Sequence, residues 1–123
     1  MVKNPKHGEV WLADMELAGK LRPVVVMLAD EVSVERALVI HVPITTQNRG
    51  SVLEIGLGHL RFLDSASVAN VQAIGALPRV RFERRLGALL PDDLERIKAA
   101  LRLACSLEPP QRECSSAVTS NAA

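Results

Sequence analysis

Aromatic residues are nearly missing: Trp11, Phe62 and Phe82 are the whole set, and there is no tyrosine. A core built from this chain must be aliphatic, filled by Val, Leu, Ile and Ala. The same shortage argues against a platform of stacked rings, the device with which many single-strand binders hold bases. Cysteine is scarce too. Cys105 and Cys114 come late, without C-x-x-C spacing or a neighbouring histidine, and His7, His41 and His59 are scattered. No metal or other cofactor is expected from that distribution. No apolar run approaches the ~18 residues a membrane span requires, and no basic leader with an apolar stretch opens the chain. A soluble, cytoplasmic protein with reduced thiols is the expectation. Neither sign of charge dominates. With 15 Lys and Arg against 14 Asp and Glu the net charge is +1, which alone predicts no nucleic-acid partner.

What is present is enough for one packed domain: 123 residues, 48% of them hydrophobic. Strands are expected over Glu9–Met15, Pro23–Ala29 and Ala37–Thr45. The second is a continuous β-branched run that suits a strand buried on both faces. Pro43 implies an edge position or a bulge in the third. Gln47-Asn48-Arg49-Gly50 signals a turn. Further strands are expected over Ser51–Ile55, over Ala66–Leu77 up to Pro78, and over Val80–Leu86, where Gly87 breaks the run.

One helix is convincing. Pro91 suits its first turn, Asp92, Asp93 and Glu95 sit near the positive end of its dipole, and Leu94, Ile97, Leu101 and Ala104 form an apolar stripe. Leu90 is a poor cap for its start. Residues 1–107 are read as one domain, and residues 108–123 as a disordered polar tail. Short strands with Gly and Pro punctuation, followed by one helix, point to a mainly β fold: a small SH3-like barrel with a C-terminal helix. Fold class alone assigns no chemistry.

Taken singly, the polar residues have bland readings. Arg79, Arg81, Arg84 and Arg85 form either a solvated strand face or an electrostatic footprint. His41, inside an apolar strand, reads as a core histidine, Trp11 as core and Glu54 as part of a solvated face. Arg22, Thr45, Thr46 and Gln47 are ordinary strand-end and turn residues.

Their order along the chain says more. Gly8-Glu-Val-Trp-Leu-Ala-Asp is followed by Arg22-Pro-Val-Val-Val, then Val42-Pro-Ile-Thr-Thr-Gln, then Ser67-Val-Ala-Asn-Val-Gln-Ala-Ile, then Leu86-Gly-Ala-Leu before a Pro-Asp-Asp-Leu helix. This succession, from Gly8 to about Leu107, resembles the MazF/PemK family of toxin–antitoxin ribonucleases. The resemblance implies a toxin that cleaves single-stranded RNA at short sequences without metal and so inhibits translation. It also implies a homodimer and neutralisation by a small cognate antitoxin.

Attack of a 2′-hydroxyl on phosphorus would leave a 2′,3′-cyclic phosphate and a 5′-hydroxyl. Carried over residue by residue, Arg22 is the main catalytic group and Thr45 its partner. Lys20, Thr46, Gln47 and Arg49 are the expected RNA contacts around them. A fixed guanidinium offers paired donors to phosphate oxygens as charge builds on them; as a general base an arginine is poor at its usual pKa.

Two features depart from the common pattern: a short first loop, Met15 to Leu21, and Gly75 where many members carry arginine. They leave two alternatives open. One is a degenerate module that binds antitoxin or RNA without cleaving. The other is a gyrase-poison toxin on the same fold, although the helix here lacks that group's aromatic end.

Overall fold

The computed structural model describes residues 4–15, 19–32 and 38–107. In chain order these form β1 (Glu9–Asp14), β2 (Leu21–Val26), β3 (Leu38–Thr45), β4 (Glu54–Gly56), β5 (Val68–Asn70), β6 (Gly75–Pro78), β7 (Phe82–Ala88) and α1 (Pro91–Cys105). The strands make one antiparallel sheet in the order β4-β5-β3-β2-β1-β7, with β6 added to β3. The expected mainly β architecture with a C-terminal helix is the one observed. The tail from residue 108 and residues 16–18 of the first loop lie outside the described residues.

The sheet carries apolar cores on both faces, which explains the uninterrupted valine run. Val25 joins Val10, Val42, Ile44, Leu57, Ala69 and Ile97 on the face covered by α1. Val24 and Val26 join Trp11, Ala13, Val39 and Phe82 on the other. All three valines are 0% exposed. At roughly 1.5–3 kcal/mol for each large apolar side chain buried, this run dominates the local energetics. Trp11 is core, as its sequence context suggests, and packs edge-on against Phe82.

Several boundaries differ from the sequence expectation, each for a local reason. Pro43 lies neither on an edge strand nor at a bulge. It sits where β3 changes partners, since Leu38–His41 pair with β6 and Ile44–Thr45 with β5. Only three residues of the Ser51–Ile55 segment's neighbourhood, Glu54–Gly56, are strand, because Ser51 to Leu53 turn. The long segment from Ala66 is broken by a 3-10 turn over Val71–Ala73, which Asn70 caps by accepting from the Gln72 N–H. Another such turn, Arg79–Arg81, delays β7. Gly87 does not end β7: a Cβ there would come within 2.5 Å of the Phe62 ring, so glycine lets that ring lie on the strand. In α1 the buried side is Asp93, Ile97 and Ala100, with Leu94 and Leu101 half-buried and Ala104 exposed. The helix starts without a side-chain cap and closes on Ser106 at φ 57°, from which Leu107 N–H reaches the Arg102 carbonyl.

His41 is the core histidine the pattern suggests, 2% exposed, its ring edge-on to Phe82 and its Nδ1 without a partner. Burial holds its imidazole below the ordinary value near 6.5, partly offset by a hydrogen bond with the Val39 backbone. Below about pH 6.5 the unfolded chain therefore takes up a proton that the folded chain resists, so stability falls as pH falls from neutrality through that window. His41→Leu should flatten this part of the profile. Thermal unfolding of both proteins between about pH 7 and pH 5 checks it; equal slopes would remove His41 as the source.

Candidate active site at one end of the sheet

The register of the central strands builds the site. Ala13 on β1 pairs with Arg22, and Val24 on β2 pairs with Pro43. Carried two residues further, the β2–β3 register sets Arg22 opposite Thr45. Alternation then puts both on the face that holds Val24, at the strand ends where the core gives way to solvent. Arg22 and Lys20 are exposed, and Thr45 is half-buried. Among the described residues no carboxylate pairs with Arg22.

Beyond Thr45 the chain makes an ordered loop. Thr45 Oγ1 accepts from the Gln47 N–H at 3.1 Å, which leaves the hydroxyl proton available to a further acceptor. Asn48 Oδ1 accepts from Gly50 N–H at 2.8 Å, with Gly50 at φ +75°, where a glycine avoids the strain of a side chain. Glu54 is half-buried, not on a solvated face. Its Oε1 accepts from Arg49 N–H at 3.0 Å and Ser51 N–H at 2.9 Å, while Ser51 Oγ accepts from Leu53 N–H. The Ser51-x-x-Glu54 spacing was the available signal for this anchor; Glu54 reaches back to Ser51 N–H as in one half of a capping box, without a helix. Thr46, Gln47 and Arg49 are held exposed on that loop, so the six residues singled out from the sequence fall into two segments at the ends of β2 and β3.

The basic run around β7 is largely tied down. Arg85 Nε donates to Glu9 at 2.8 Å, Arg79 to Asn4 at 3.3 Å, and Arg81 Nη1 to Asp14 at 3.2 Å. A shallow groove of about 390 Å³ lies between β4 and α1, lined by Val52, Glu54, Ile55, Ala99 and Leu103 among others. Among the described residues no three His, Cys, Asp or Glu side chains gather as metal ligands would.

Residues 6–105 match the family described as PemK-like, MazF-like toxins of type II toxin–antitoxin systems. The chain belongs to this family. It is 35% identical over 98 residues to a probable endoribonuclease MazF2 of Mycobacterium tuberculosis, covering 79% of this chain and 94% of that protein. Its fold is similar to that of the Mycobacterium tuberculosis toxin MazF-mt6, with a TM-score of 0.73 at 25% identity, covering 81% of this chain and 98% of that one. It is also similar to an endoribonuclease in complex with its cognate antitoxin from a mycobacterial species, with a TM-score of 0.75 at 24% identity, covering 87% and 100%. Against the common MazF/PemK pattern, Gly75 pairs with His41 across β6 and β3. A Cβ there would sit 3.6 Å from His41 Cε1, an ordinary contact, so packing does not demand the glycine.

Glu54→Ala should release Arg49 and Ser51 N–H together. The expected loss is about 1–3 kcal/mol, and amide exchange should quicken from residue 47 to 53 while β2 stays protected. Unchanged exchange there would show the loop to be held otherwise.

Proposed function

We propose that this chain is a metal-independent endoribonuclease toxin acting in the cytoplasm on single-stranded RNA, with Arg22 and Thr45 as its catalytic pair. The observation that carries the reading is the strand register that faces an exposed Arg22, with no carboxylate partner among the described residues, towards Thr45. The ribose 2′-hydroxyl attacks the adjacent phosphorus, the P–O5′ bond breaks, and a 2′,3′-cyclic phosphate and a 5′-hydroxyl result. The guanidinium stabilises the charge that develops on the non-bridging oxygens, and two of its N–H groups suit that geometry. The Thr45 hydroxyl, already accepting from Gln47 N–H, donates its own proton to the same oxygens. Lys20, Thr46, Gln47 and Arg49 contact the flanking nucleotides. Both catalytic residues sit on strands packed by the core, which suits a group that must not move as charge builds.

Purified protein incubated with mixed-sequence RNA in EDTA should give products with 5′-hydroxyl ends. Arg22→Ala should remove cleavage by a factor of about 100 or more with the fold intact. Cleavage that survives Arg22→Ala would refute the assignment. No cleavage of varied RNAs by folded protein would favour a module that binds without cutting.

A homodimer and a small antitoxin partner belong to the same proposal. Support for the former is an exposed apolar strip on the β3–β6 ribbon, where Leu38 and Ile40 stand out beside Ala76 and Ile74. Such a strip on a small domain marks an association surface more often than bare solvent exposure. Ile40→Glu should shift the protein to monomer in sedimentation without unfolding it; an unchanged mass would place the interface elsewhere.

A further inference from the structure

The groove between β4 and α1 begins at Val52, where the loop carrying Thr46, Gln47 and Arg49 ends. Val52 and Leu103 form its walls, 75% and 66% exposed, too far into solvent to add much to the core. Its floor is made of small residues. Ala99 and Ala100 line it from α1, and a Cβ on Gly56 would meet nothing within 4 Å. A volume of about 390 Å³ suits a small ligand held between two aliphatic walls.

Two charged side chains line the groove as well. Glu54 commits only Oε1, to the Arg49 and Ser51 amides, and its Oε2 has no partner among the described residues. Arg96 Nη2 donates to the Gly56 carbonyl at 2.9 Å and lies 3.7 Å from Asp93 Oδ1. Its remaining N–H groups make no hydrogen bond among the described residues. Glu54 and Gly56 are two residues apart on β4, about 7 Å. An acceptor at one point of the groove is thus followed by a donor at the next.

Strand pairing connects the groove to the proposed reaction centre. Thr45 pairs with Val68, and Val68 pairs with Gly56. Gly56 therefore stands on the same cross-sheet row as Thr45, two strand spacings away, about 10 Å. An RNA strand that leaves Thr45 along the Thr46–Arg49 loop reaches the groove within a few nucleotides.

We infer that the groove is a nucleobase site that selects guanine near the scissile phosphate. The inference rests on the ribonuclease reading above. Aliphatic side chains hold an unstacked base where rings are lacking, and single-stranded RNA offers its Watson–Crick edges for reading. Of the four bases, guanine alone sets two N–H donors, at N1 and N2, beside a carbonyl, O6, on that edge. The N–H pair meets Glu54 Oε2, and the carbonyl meets the Arg96 guanidinium, a pairing common in base recognition. This sequence of acceptor and donor favours a base over an apolar side chain from a protein.

The test sequences the 5′-hydroxyl ends that wild type, Glu54→Gln and Ala99→Phe leave on random-sequence RNA. It also follows the Val52 and Leu103 methyl signals of Arg22→Ala, which leaves RNA whole, as short RNAs are added. Wild type should favour guanine about tenfold or more at one fixed position from the cut. Inosine at that position, lacking the N2 amine, should lose most of the preference. Glu54→Gln sets an amide donor where a carboxylate accepted, and Ala99→Phe fills the groove; each should remove the guanine preference. The methyl signals should shift with guanine-containing RNA and not with RNA of the other three bases. No guanine preference in wild type, or one that survives both variants, would overturn the inference. Lost binding of a protein partner in Ala99→Phe, with the guanine preference intact, would give the groove to that partner and overturn it too. If folded wild type cuts no RNA, the ribonuclease reading falls and the methyl signals decide the groove alone: guanine-specific shifts uphold the base site, and unchanged signals overturn it.

Discussion

The pairing of β2 with β3 is the constraint on which the rest of the molecule depends. Val24, Val25 and Val26 are fully buried, alternately on two faces, so a slip of one residue would exchange the two cores. A slip of two would preserve the faces but carry Arg22 about 7 Å from Thr45. On its other side β3 is held by its own pairings, changing at Pro43 from β6 to β5, so the strand that carries Thr45 is fixed from both sides. The position of a polar pair at the surface is thus set by apolar side chains and strand pairing in the interior.

A chain of net charge +1 still presents exposed Lys20 and Arg22 at this end, while several of its acids are taken up in structural pairings. Glu9 accepts from Lys6 N–H, Trp11 Nε1 and Arg85 Nε. Partial burial would raise its pKa, but hydrogen bonds from Trp11 and the Lys6 backbone, with Arg85, outweigh it and hold the carboxyl below its usual value. Asp93, 5% exposed, meets His59 Nε2 at 2.9 Å and fixes the loop after β4 against α1. Glu54 holds the Thr45–Ser51 loop through backbone amides. Lys20 and Arg22 stand outside these structural pairings, which is why distribution was more informative than total charge.

The sequence made the strands of the first half legible because burial on both faces leaves a plain signature, and the helix legible because Pro91 and the acidic first turn mark its start. It made the second half less so. From Ser51 to Arg81 the chain is organised by side chains bonding to nearby backbone, as with Asn70 and Glu54, and such bonds compete with strand pairing without changing the apolar pattern. Arg22 and Thr45 could be named from the order of short strings along the chain, not from any property of an arginine or a threonine. Periodicity had no access to the Asp14–Arg81 contact, which joins residues far apart in sequence.

The short first loop and Gly75 bear on different parts of the proposed reaction. A phosphodiester transfer that uses the RNA's own 2′-hydroxyl requires of the protein chiefly a rigid donor set at the phosphorus, and that set stands on β2 and β3. Loops govern which bases are held beside it. Shortening the segment before Arg22 removes cover and contacts, hence discrimination among sequences, while the strand ends stay where the core puts them. Gly75 lies beside His41, four residues along β3 from Thr45, about 13 Å at the usual rise. A long side chain there would have to reach along the strand to act, so its absence costs one contact and leaves the Arg22–Thr45 geometry intact. An enzyme reduced in this way loses selectivity before it loses chemistry.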